Sequence, residues 1–416
     1  MSSSSKQRLR GPVARHTKLR SPSIGRRILK GAALAISAVL VATVGVSGYV
    51  YGDYFGTLKE NSITLEGQDT APPDVDVLPN EEINILLAGV DKCELEWVDT
   101  FAGRCTEEMA KAQEDTFQSQ LNDVNMIVHI SPEPRRLTVI SIPRDMMTAR
   151  PSCTDENGAE TAPTEAAMFN SAYSTGGLPC VVKTAEQLTG LSIDHAALMT
   201  WGGVIDITDA IGGVDVCVAQ PIQDPEHTHL DLAAGNHTLA GYTALQFLRV
   251  RHGVGDGSDL SRISNQQVYM GALVRKLVSD ETLSDVGALL RLANAVVKNA
   301  TVSSGLTDPM AMVEIASALR SVPVEDYEFI QFPAVDYALD ANRVAPDEET
   351  WQQIMAAFDA NQSLLAQEDP AATETPVPEE TVSPTETPAP GQVELPSNIK
   401  GSNANEDLCS NQEALF

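Results

Sequence analysis

Apolar residues lie along much of the chain in short runs separated by turn residues, a pattern typical of buried strands. The clearest runs are INILLAGV (Ile83–Val90), VNMIVHI (124–130) and LTVISI (137–142). Two later runs, GVDVCV and YEFIQFP, predict further strands. The hydrophobic pattern therefore predicts a sheet with a well-buried centre.

Longer segments between these runs have helical spacing or end in glycine. SRISNQQVYMGALVRKLV predicts a helix whose apolar stripe contains Met270, Leu273, Val274 and Leu277. Further helices are predicted in PCVVKTAEQLTG, WGGVIDITDAIGG, DVGALLRLANAVVKNA, DPMAMVEIASALR and DEETWQQIMAAFDA. Mixed strands and helices predict an α/β or α+β domain over residues 81–363.

The segment 31–52, GAALAISAVLVATVGVSGYVYG, contains no charged residue. A bilayer core requires about 20 apolar helical residues, so we expect a transmembrane helix there. Residues 1–30 contain nine Lys and Arg and no Asp or Glu, which predicts a cytoplasmic tail and an extracellular C-terminal domain. The alternative is a cleaved signal peptide, but the basic leader is long and VSGYVYG is a poor cleavage site. The sequence favours a single-pass protein of the cell membrane.

Polar segments flank the predicted domain on both sides. Residues 53–80 predict a stalk that ends in APPDVDVLPN. Residues 364–398 are rich in Pro, Thr and Glu and predict a disordered linker, followed by a polar tail over 399–416. The tail carries Cys409, which either ties it back to the domain or pairs with another chain.

The chain has 416 residues and a formal net charge of −29. After residue 30 it has 19 basic and 57 acidic side chains, which argues against nucleic-acid binding. Six cysteines fit an oxidising compartment, and Cys93 and Cys105 flank one short loop, which makes them the easiest pair to bridge. The other cysteines allow three pairings, which the sequence leaves open: Cys153, Cys180, Cys217 and Cys409.

Charged side chains gather at four places, and three of these are strand ends. Asp91 follows the first strand, Asp123 precedes the second, and Arg144 and Asp145 follow the third. Strand ends are where α/β folds assemble binding sites. Each residue alone also fits a turn cap or a surface ion pair, but together they predict a site for an anion.

The fourth place is FLRVRHGVGDGSDLSRISNQQ, residues 247–267. Arg249 and Arg251 are two positions apart and would share one face of a strand, so we expect a strand over 247–251. Arg262 and Gln266 are one turn apart near the start of the following helix, whose N–H groups also favour an anion. Arginine has a planar donor fork suited to phosphate, so the stretch predicts a pyrophosphate clamp.

Two or three carboxylates beside such a clamp could hold Mg²⁺, which prefers oxygen ligands and usually bridges substrate phosphates. Neither a CxxC motif nor a Cys/His cluster occurs in the sequence to predict another kind of metal site. His227 and His229 lie in a polar loop and are expected to be solvated.

The chain resembles the LytR-CpsA-Psr family over residues 83–277. The resemblance is carried, in order, by NILLAGVD, LTVISIPRD, FNSAYSTGG, TAEQLTGLSIDH, DAIGGVDVCV and GSDLSRISNQQ. The cysteines at 153, 180 and 217 are similar to those of an actinobacterial branch. The resemblance implies an α/β/α sandwich with a mixed central sheet and a hydrophobic pocket for a prenyl chain.

The family resemblance also implies an enzyme outside the membrane that moves a glycopolymer from a polyprenyl-pyrophosphate carrier to a cell-wall acceptor. That acceptor is the muramic acid 6-hydroxyl of peptidoglycan or a surface protein, and the product is a phosphodiester.

The same resemblance implies roles for individual residues. Asp91 and Asp123 match ligands of Mg²⁺ (or Mn²⁺). The residues that match pyrophosphate ligands are Arg144, Arg249, Arg251, Arg262 and Gln266. Arg144 and Arg262 are also expected to act in catalysis, with Asp259 as a base or as a carboxylate that orients an arginine. Leu121 and Met168 stand where many members have Arg and Lys, so the site has up to two fewer positive charges.

Two alternatives use the same residues. In the first, water is the acceptor and the protein is a lipid-pyrophosphate hydrolase. In the second, the domain is a sensor or scaffold that binds lipid-linked intermediates without turnover.

Overall fold

The computed structural model describes residues 81–365 with short gaps, and a few residues on either side. The gaps are 102–103, 115, 119, 256, 258, 280–281, 283–284, 309–310, 313–314, 316–317 and 320. The other described residues are 52, 56–57, 59–60, 62–65, 401–404 and 408–411. The chain divides into two units, Met1–Asp53 and Tyr54–Phe416, and the second contains the fold.

Several predictions of the sequence fall on other residues. The basic tail 1–30, the apolar segment 31–52 except Gly52, and the linker from residue 366 to 398 lie outside the described residues. The predicted helix DPMAMVEIASALR is described only in part. No helix in the described part of the chain has the length and apolar character that a bilayer crossing requires.

The helices and strands with defined bounds are as follows. The α-helices are α1 (Glu107–Ala112), α2 (Ser171–Thr189), α3 (Trp201–Ala210), α4 (Gly241–Arg249), α5 (Asp259–Val278), α6 (Val286–Asn299) and α7 (Glu348–Asp359). The strands are β1 (Ser62–Ile63), β2 (Ile83–Val90), β3 (Asn122–Ile130), β4 (Leu137–Ser141), β5 (Met147–Arg150), β6 (Cys153–Thr154), β7 (Glu160–Thr161), β8 (Thr164–Met168), β9 (His195–Thr200), β10 (Val214–Val218), β11 (Ile222–Asp224), β12 (Leu230–Leu232), β13 (Gly235–Leu239), β14 (Ala300–Ser303), β15 (Tyr327–Gln331), β16 (Ala334–Asp336), β17 (Val344–Pro346), β18 (Gly401–Asn403) and β19 (Cys409–Ser410).

Eight of the described strands form the main sheet, in the order β1-β14-β9-β2-β3-β4-β15-β18. Strand β2 runs antiparallel to β3 and parallel to β9. Strand β4 runs antiparallel to β3 and parallel to β15. The sheet is therefore mixed, as the family resemblance implied.

Both faces of this sheet are covered by helices. Side chains alternate between the two faces of a strand, so a centrally placed strand contributes to two cores. On β2, Leu86 and Ala88 join a cluster with residues of α2 and α7. Ile85, on the other face, joins a cluster to which Met270 and Val274 of α5 belong. This arrangement is the predicted α/β/α sandwich.

Two segments predicted to lie outside the domain contribute to the fold. Within the predicted stalk 53–80, Ser62–Ile63 pairs parallel with β14, and Leu65 is buried. At the other end, Leu364 is buried and strand β18 of the predicted tail pairs with β15. Strand β19 pairs with β10, and a disulfide joins Cys409 to Cys217. The described part of the tail is thus tied back to its own domain.

The two remaining disulfides lie close to the sheet. Cys93 is joined to Cys105, the pair that the short loop between them made easiest to bridge. Cys153 is joined to Cys180 and so links β6 to α2. Of the three pairings that the sequence left open, the structure therefore has Cys153 with Cys180 and Cys217 with Cys409.

The predicted strand over 247–251 is wrong. Helix α4 (Gly241–Arg249) continues through most of it, and Val250 is the first residue with extended backbone, at φ −62° and ψ 134°. Ala244 and Phe247 are three positions apart and fully buried, which is the spacing of a helix face. Burial of this apolar face favours the helix, and it outweighs the strand that the spacing of Arg249 and Arg251 predicted.

Candidate functional site

Four strands bring polar side chains to one edge of the main sheet. Because β2 and β3 are antiparallel, the end of β2 at Val90 pairs with the start of β3 at Asn122. Strand β4 is antiparallel to β3 and ends at the same edge. Strand β9 is parallel to β2 and ends with Thr200 opposite Val90. The residues placed together in this way are Asp91, Asp123, Arg144 and Trp201.

Asp123 is connected to two arginines. The Nη1 atom of Arg144 donates a hydrogen bond to Asp123 Oδ2 at 2.8 Å. The Nη2 atom of Arg262 donates to the backbone oxygen of Asp123 at 3.0 Å. The side-chain amide of Asn170 lies 3.5 Å from Asp123 Oδ1. A predicted metal ligand thus holds two of the predicted pyrophosphate ligands in place.

Arg144 is also held from its other side. Its Nε atom lies 3.6 Å from Asp145 Oδ2, and Asp145 Oδ1 accepts a hydrogen bond from Arg343 Nη1 at 2.8 Å. Arg343 in turn lies 3.6 Å from Asp340. This chain of ion pairs limits the orientations open to the Arg144 guanidinium group. Arg343 lies 198 residues from Asp145 along the chain, so no local sequence pattern predicts this contact.

Asp91 lies beside Asp123 in a partly buried position. Burial raises the pKa of Asp91 to about 6; the positive charge of Arg249 lowers the pKa, and the negative charge of Asp123 raises it further. The two carboxylates therefore repel each other, and a divalent cation between them would relieve that repulsion. The described residues contain no group of three or more His, Cys, Asp or Glu that could hold a metal. A carboxylate pair still fits Mg²⁺, which usually completes its shell with water and substrate phosphates.

The indole of Trp201 lies beside two guanidinium groups. The Cζ atom of Arg249 is 3.5 Å from the ring centre and that of Arg104 is 5.4 Å away, both within cation–π range. Burial, followed by repulsion from Arg104, lowers the pKa of Arg249 to about 10, so it is charged at neutral pH. Neither Trp201 nor Arg104 is recognisable as a site residue from the sequence, because Trp201 lies in an apolar helix pattern and Arg104 in a polar loop.

The remaining predicted residues occupy α5 and the turn before it. Arg251 follows the end of α4 and lines the same cavity as the other arginines. Gln266 is 4% exposed, and its Nε2 atom donates to the backbone oxygen of Leu248 at 2.9 Å, which ties α5 to α4. Asp259 is the first residue of α5, and its side chain lies outside the described ones.

These charged residues open onto a cavity of about 370 Å³ between the sheet and helices α3, α4 and α5. Much of the wall is apolar and comes from Leu87, Val124, Met126, Val204, Leu245, Leu248, Met270 and Leu273. The charged part of the same wall comes from Asp91, Asp123, Asp224, Arg104, Arg144, Arg249, Arg251 and Arg262. The cavity is therefore amphiphilic, as expected for a ligand with a charged group on a hydrocarbon chain.

A smaller cavity of about 210 Å³ adjoins the first and shares Asp91, Arg104, Asp123 and Trp201 with it. Leu121 lines this smaller cavity, and its backbone oxygen accepts the N–H of Asp91 at 3.2 Å. Leu121 therefore lies beside the carboxylates of Asp91 and Asp123 and has no charge of its own.

Three relatives of this chain have names that refer to cell-wall biosynthesis or to transfer onto peptidoglycan. It is 26% identical over 319 residues to the cell wall biosynthesis protein LcpA of Corynebacterium glutamicum, covering 72% of this chain and 59% of LcpA. It is 33% identical over 183 residues to the probable cell wall biosynthesis protein LcpB of that organism, covering 44% of this chain and 41% of LcpB. The chain thus matches less than two thirds of the length of either relative. It is 23% identical over 319 residues to the polyisoprenyl-teichoic acid–peptidoglycan teichoic acid transferase TagT of Bacillus subtilis, covering 75% of this chain and 87% of TagT.

The fold also has a counterpart among solved structures. Protein gbs0355 of Streptococcus agalactiae superposes with a TM-score of 0.53 at 18% identity, over 70% of this chain and 92% of that one. The sequence profile of the LytR_cpsA_psr family matches residues 49–359, which is most of the chain and includes every predicted site residue. The chain therefore belongs to the LytR-CpsA-Psr family.

Proposed function

We propose that this protein is a membrane-anchored phosphotransferase that moves a glycopolymer from a polyprenyl-pyrophosphate carrier to a cell-wall acceptor. The acceptor is the muramic acid 6-hydroxyl of peptidoglycan or a hydroxyl of a surface protein. The observation that carries the proposal is that arginines and apolar side chains line one cavity. A prenyl pyrophosphate has two parts that match this lining. Its anionic head is complementary to the arginines, and its hydrocarbon chain is complementary to the apolar side chains. The name of the relative TagT, a polyisoprenyl-teichoic acid–peptidoglycan transferase, supports the same class of reaction.

The arginine cluster is prepared for the pyrophosphate before any donor binds. Arg144 and Arg262 are both fixed against Asp123, at its side chain and its backbone. Arg249 is fixed by the face of Trp201. Guanidinium N–H groups that are already held in position need little reorganisation when negative charge develops on the phosphoryl oxygens. Such preorganised electrostatic stabilisation is the main source of catalysis in phosphoryl transfer. Arg251 supplies a fourth positive charge on the wall of the same cavity.

Asp91 and Asp123 are the residues that would hold Mg²⁺ or Mn²⁺. Bound there, the ion would neutralise pyrophosphate oxygens and help the leaving group depart. The raised pKa of Asp91 fits this role, because it indicates a carboxylate whose charge the surrounding protein compensates only in part.

In the reaction, the acceptor hydroxyl oxygen attacks the phosphorus atom that bears the glycan. A new P–O bond forms to the acceptor, and the P–O bond to the lipid phosphate breaks. The prenyl monophosphate leaves, and the proton of the acceptor hydroxyl passes to a base, for which Asp259 at the start of α5 is the candidate. Arg144 and Arg262 stabilise the charge on the phosphoryl oxygens. We therefore assign them the main catalytic roles, in addition to their roles in binding the pyrophosphate.

We place the domain outside the cell membrane and the N-terminus in the cytoplasm. The charge-free segment 31–52 after a basic leader supports this orientation. A lipid-linked donor is confined to the membrane, so an anchored enzyme meets it at high local concentration. The three disulfides fit a compartment where thiols are oxidised.

Product analysis tests the proposal against its alternatives. Full-length protein in detergent is incubated with a polyprenyl-pyrophosphate-linked oligosaccharide, Mg²⁺ and peptidoglycan fragments, and the products are identified by mass spectrometry. Transfer gives a phosphodiester-linked conjugate and prenyl monophosphate, whereas a hydrolase releases the oligosaccharide phosphate. Tight donor binding without any product would instead support the sensor or scaffold.

A further inference from the structure

Arg104 lies in the loop that the Cys93–Cys105 disulfide closes. Cys93 comes three residues after the end of β2, and Arg104 immediately precedes Cys105. The Cα atoms of the two cysteines are 5.6 Å apart, so the disulfide holds Arg104 close to the end of β2. The N–H of Arg104 also donates to the backbone oxygen of Phe101 at 2.9 Å. The backbone position of this arginine is therefore fixed from two directions.

Phe101 attaches the same loop to the site. It is 3% exposed, and its ring meets the Trp201 indole edge-on at a centroid distance of 5.2 Å. Trp201 is the residue that also carries the guanidinium of Arg249. The disulfide loop and the predicted clamp thus share one aromatic side chain, which fixes the distance between them.

The guanidinium group of Arg104 faces the carboxylates of the site. Its Nη2 atom is 4.0 Å from Asp91 Oδ2, which is beyond hydrogen-bond distance, and its side chain is 52% exposed. No hydrogen bond from this guanidinium to another described residue is present. Its N–H groups are therefore available to a ligand, and the group lines both the main cavity and the smaller one that adjoins it.

The smaller cavity has few positive charges of its own. Leu121 and Met109 are apolar, Gln113 is neutral, and Asp91 and Asp123 are acidic. Among the described residues that line it, Arg104 is the single basic one. A phosphoryl oxygen that points from the main cavity toward Leu121 would meet no other cation among the described residues of that wall.

We propose that Arg104 is a substrate-binding residue that contacts a phosphate oxygen of the donor, and that the Cys93–Cys105 disulfide positions it. The proposal rests on the proposed function for the identity of the donor, but its test uses binding alone. It also makes full affinity for the donor dependent on Cys93 and Cys105 being joined as a disulfide and not present as free thiols.

The test measures dissociation constants for two probes, farnesyl pyrophosphate and inorganic pyrophosphate, with full-length protein in detergent and Mg²⁺. Arg104→Ala is expected to weaken both probes about tenfold, the effect of one charge-assisted hydrogen bond. Arg104→Lys is expected to recover part of the loss, because it restores charge without the planar fork. The matched control is Arg291→Ala, which removes an arginine of similar exposure that pairs with Asp285 away from both cavities, and it should bind both probes as the wild type does.

Removal of the disulfide tests the positioning role. In protein that retains Arg104, the double variant Cys93→Ser, Cys105→Ser is expected to weaken binding of both probes several-fold. In protein that carries Arg104→Ala, the same double variant should weaken binding little further, since coupled changes are not additive. Equal losses in both backgrounds would overturn the positioning role. If that variant does not fold, the Arg104→Ala and Arg104→Lys pair still decides the binding role.

Failure of this inference can be told from failure of the proposed function. If Arg104→Ala binds both probes as tightly as the wild type while Arg144→Ala does not, the role of Arg104 is overturned and the proposed function stands. If the wild type binds both probes and Arg104→Ala weakens them, but no glycan is transferred to any acceptor, the Arg104 site stands and the proposed transfer fails. If the wild type binds neither probe, both are overturned.

Discussion

The Nη1 atom of Arg144 lies 2.8 Å from Oδ2 of Asp123, so a predicted phosphate ligand and a predicted metal ligand form one ion pair. The pair joins the end of β4 to the start of β3, two positions that the antiparallel register already places together. It also gives each charge a partner while the site contains no substrate. When the lipid-linked substrate binds, the N–H groups of Arg144 must be shared between Asp123 and a phosphoryl oxygen.

Replacement of Arg144 should affect turnover more than folding. We expect Arg144→Ala to lower kcat/KM for glycan transfer by about 100-fold or more, the scale of loss when a donor to a developing anion is removed. Arg144→Lys should recover only part of the activity, since lysine lacks the planar fork. Arg291→Ala is the matched control and should retain full activity. An Arg144→Ala variant with unimpaired transfer would contradict the assigned role.

Arg343 should act through Asp145 on the orientation of Arg144. The variant Arg343→Ala leaves the Arg144–Asp123 ion pair in place but removes the 2.8 Å contact that anchors Asp145. We expect a loss in kcat on the order of tenfold, with little change in the KM of the donor, because orientation and not charge is lost. A change confined to KM would show instead that Arg343 contributes to donor binding.

The apolar wall of the main cavity should select donors by their lipid. Leu273 lies on this wall, and Leu273→Trp would fill part of the 370 Å³. We expect the KM for a long-chain polyprenyl donor to rise about tenfold, the scale of overpacking effects, with unchanged affinity for inorganic pyrophosphate. Leu290→Trp, at a position on α6 that is 53% exposed, is the control and should change neither quantity. An equal effect of Leu273→Trp on both ligands would argue against a lipid site in this cavity.

His129 should make stability depend on pH. Its Nδ1 atom is 2.7 Å from Asn84 Oδ1, while Nε2 is buried without a partner and the ring stacks on Phe358. Burial lowers the pKa of His129 to about 4 from an ordinary value near 6.5. Between these pH values the unfolded chain binds more protons than the folded one. The stabilisation is therefore complete above pH 6.5 and is lost as the pH falls toward 4, by up to about 3 kcal/mol.

Urea unfolding of wild type and His129→Gln at several pH values checks this expectation. The difference between the two proteins isolates the contribution of His129 from that of carboxyl groups that titrate in the same range. The wild type should lose more unfolding free energy than the variant between pH 6.5 and 4. Parallel curves over that range would mean that the ring is not held neutral by burial.

The sequence predicted the parts of the site that depend on strand ends. The runs that became β2, β3 and β4 were identifiable by their apolar residues, and Asp91, Asp123 and Arg144 flank them directly. Antiparallel pairing of neighbouring strands then brings these residues together with no further information. The helices α2, α3, α5, α6 and α7 also fall on segments with the predicted spacing or glycine stops.

Other parts of the site depend on contacts between distant segments, which local pattern does not encode. Arg104 reaches the cavity because a disulfide and the Phe101–Trp201 contact fold its loop back. Arg343 meets Asp145 across 198 residues. Arg249 and Arg251 do line one cavity, but through a helix that ends at Arg249 and not through a shared strand face.

The phosphorus–oxygen bond formed in the reaction provides the most direct test of the proposed transfer. Full-length protein is incubated in ¹⁸O-enriched water with a polyprenyl-pyrophosphate-linked oligosaccharide, Mg²⁺ and peptidoglycan fragments, and the phosphate-containing products are examined by mass spectrometry. Transfer predicts a phosphodiester-linked conjugate that contains no ¹⁸O, together with unlabelled prenyl monophosphate. Release of oligosaccharide phosphate carrying one ¹⁸O atom, without a conjugate, would contradict transfer and show that water is the acceptor.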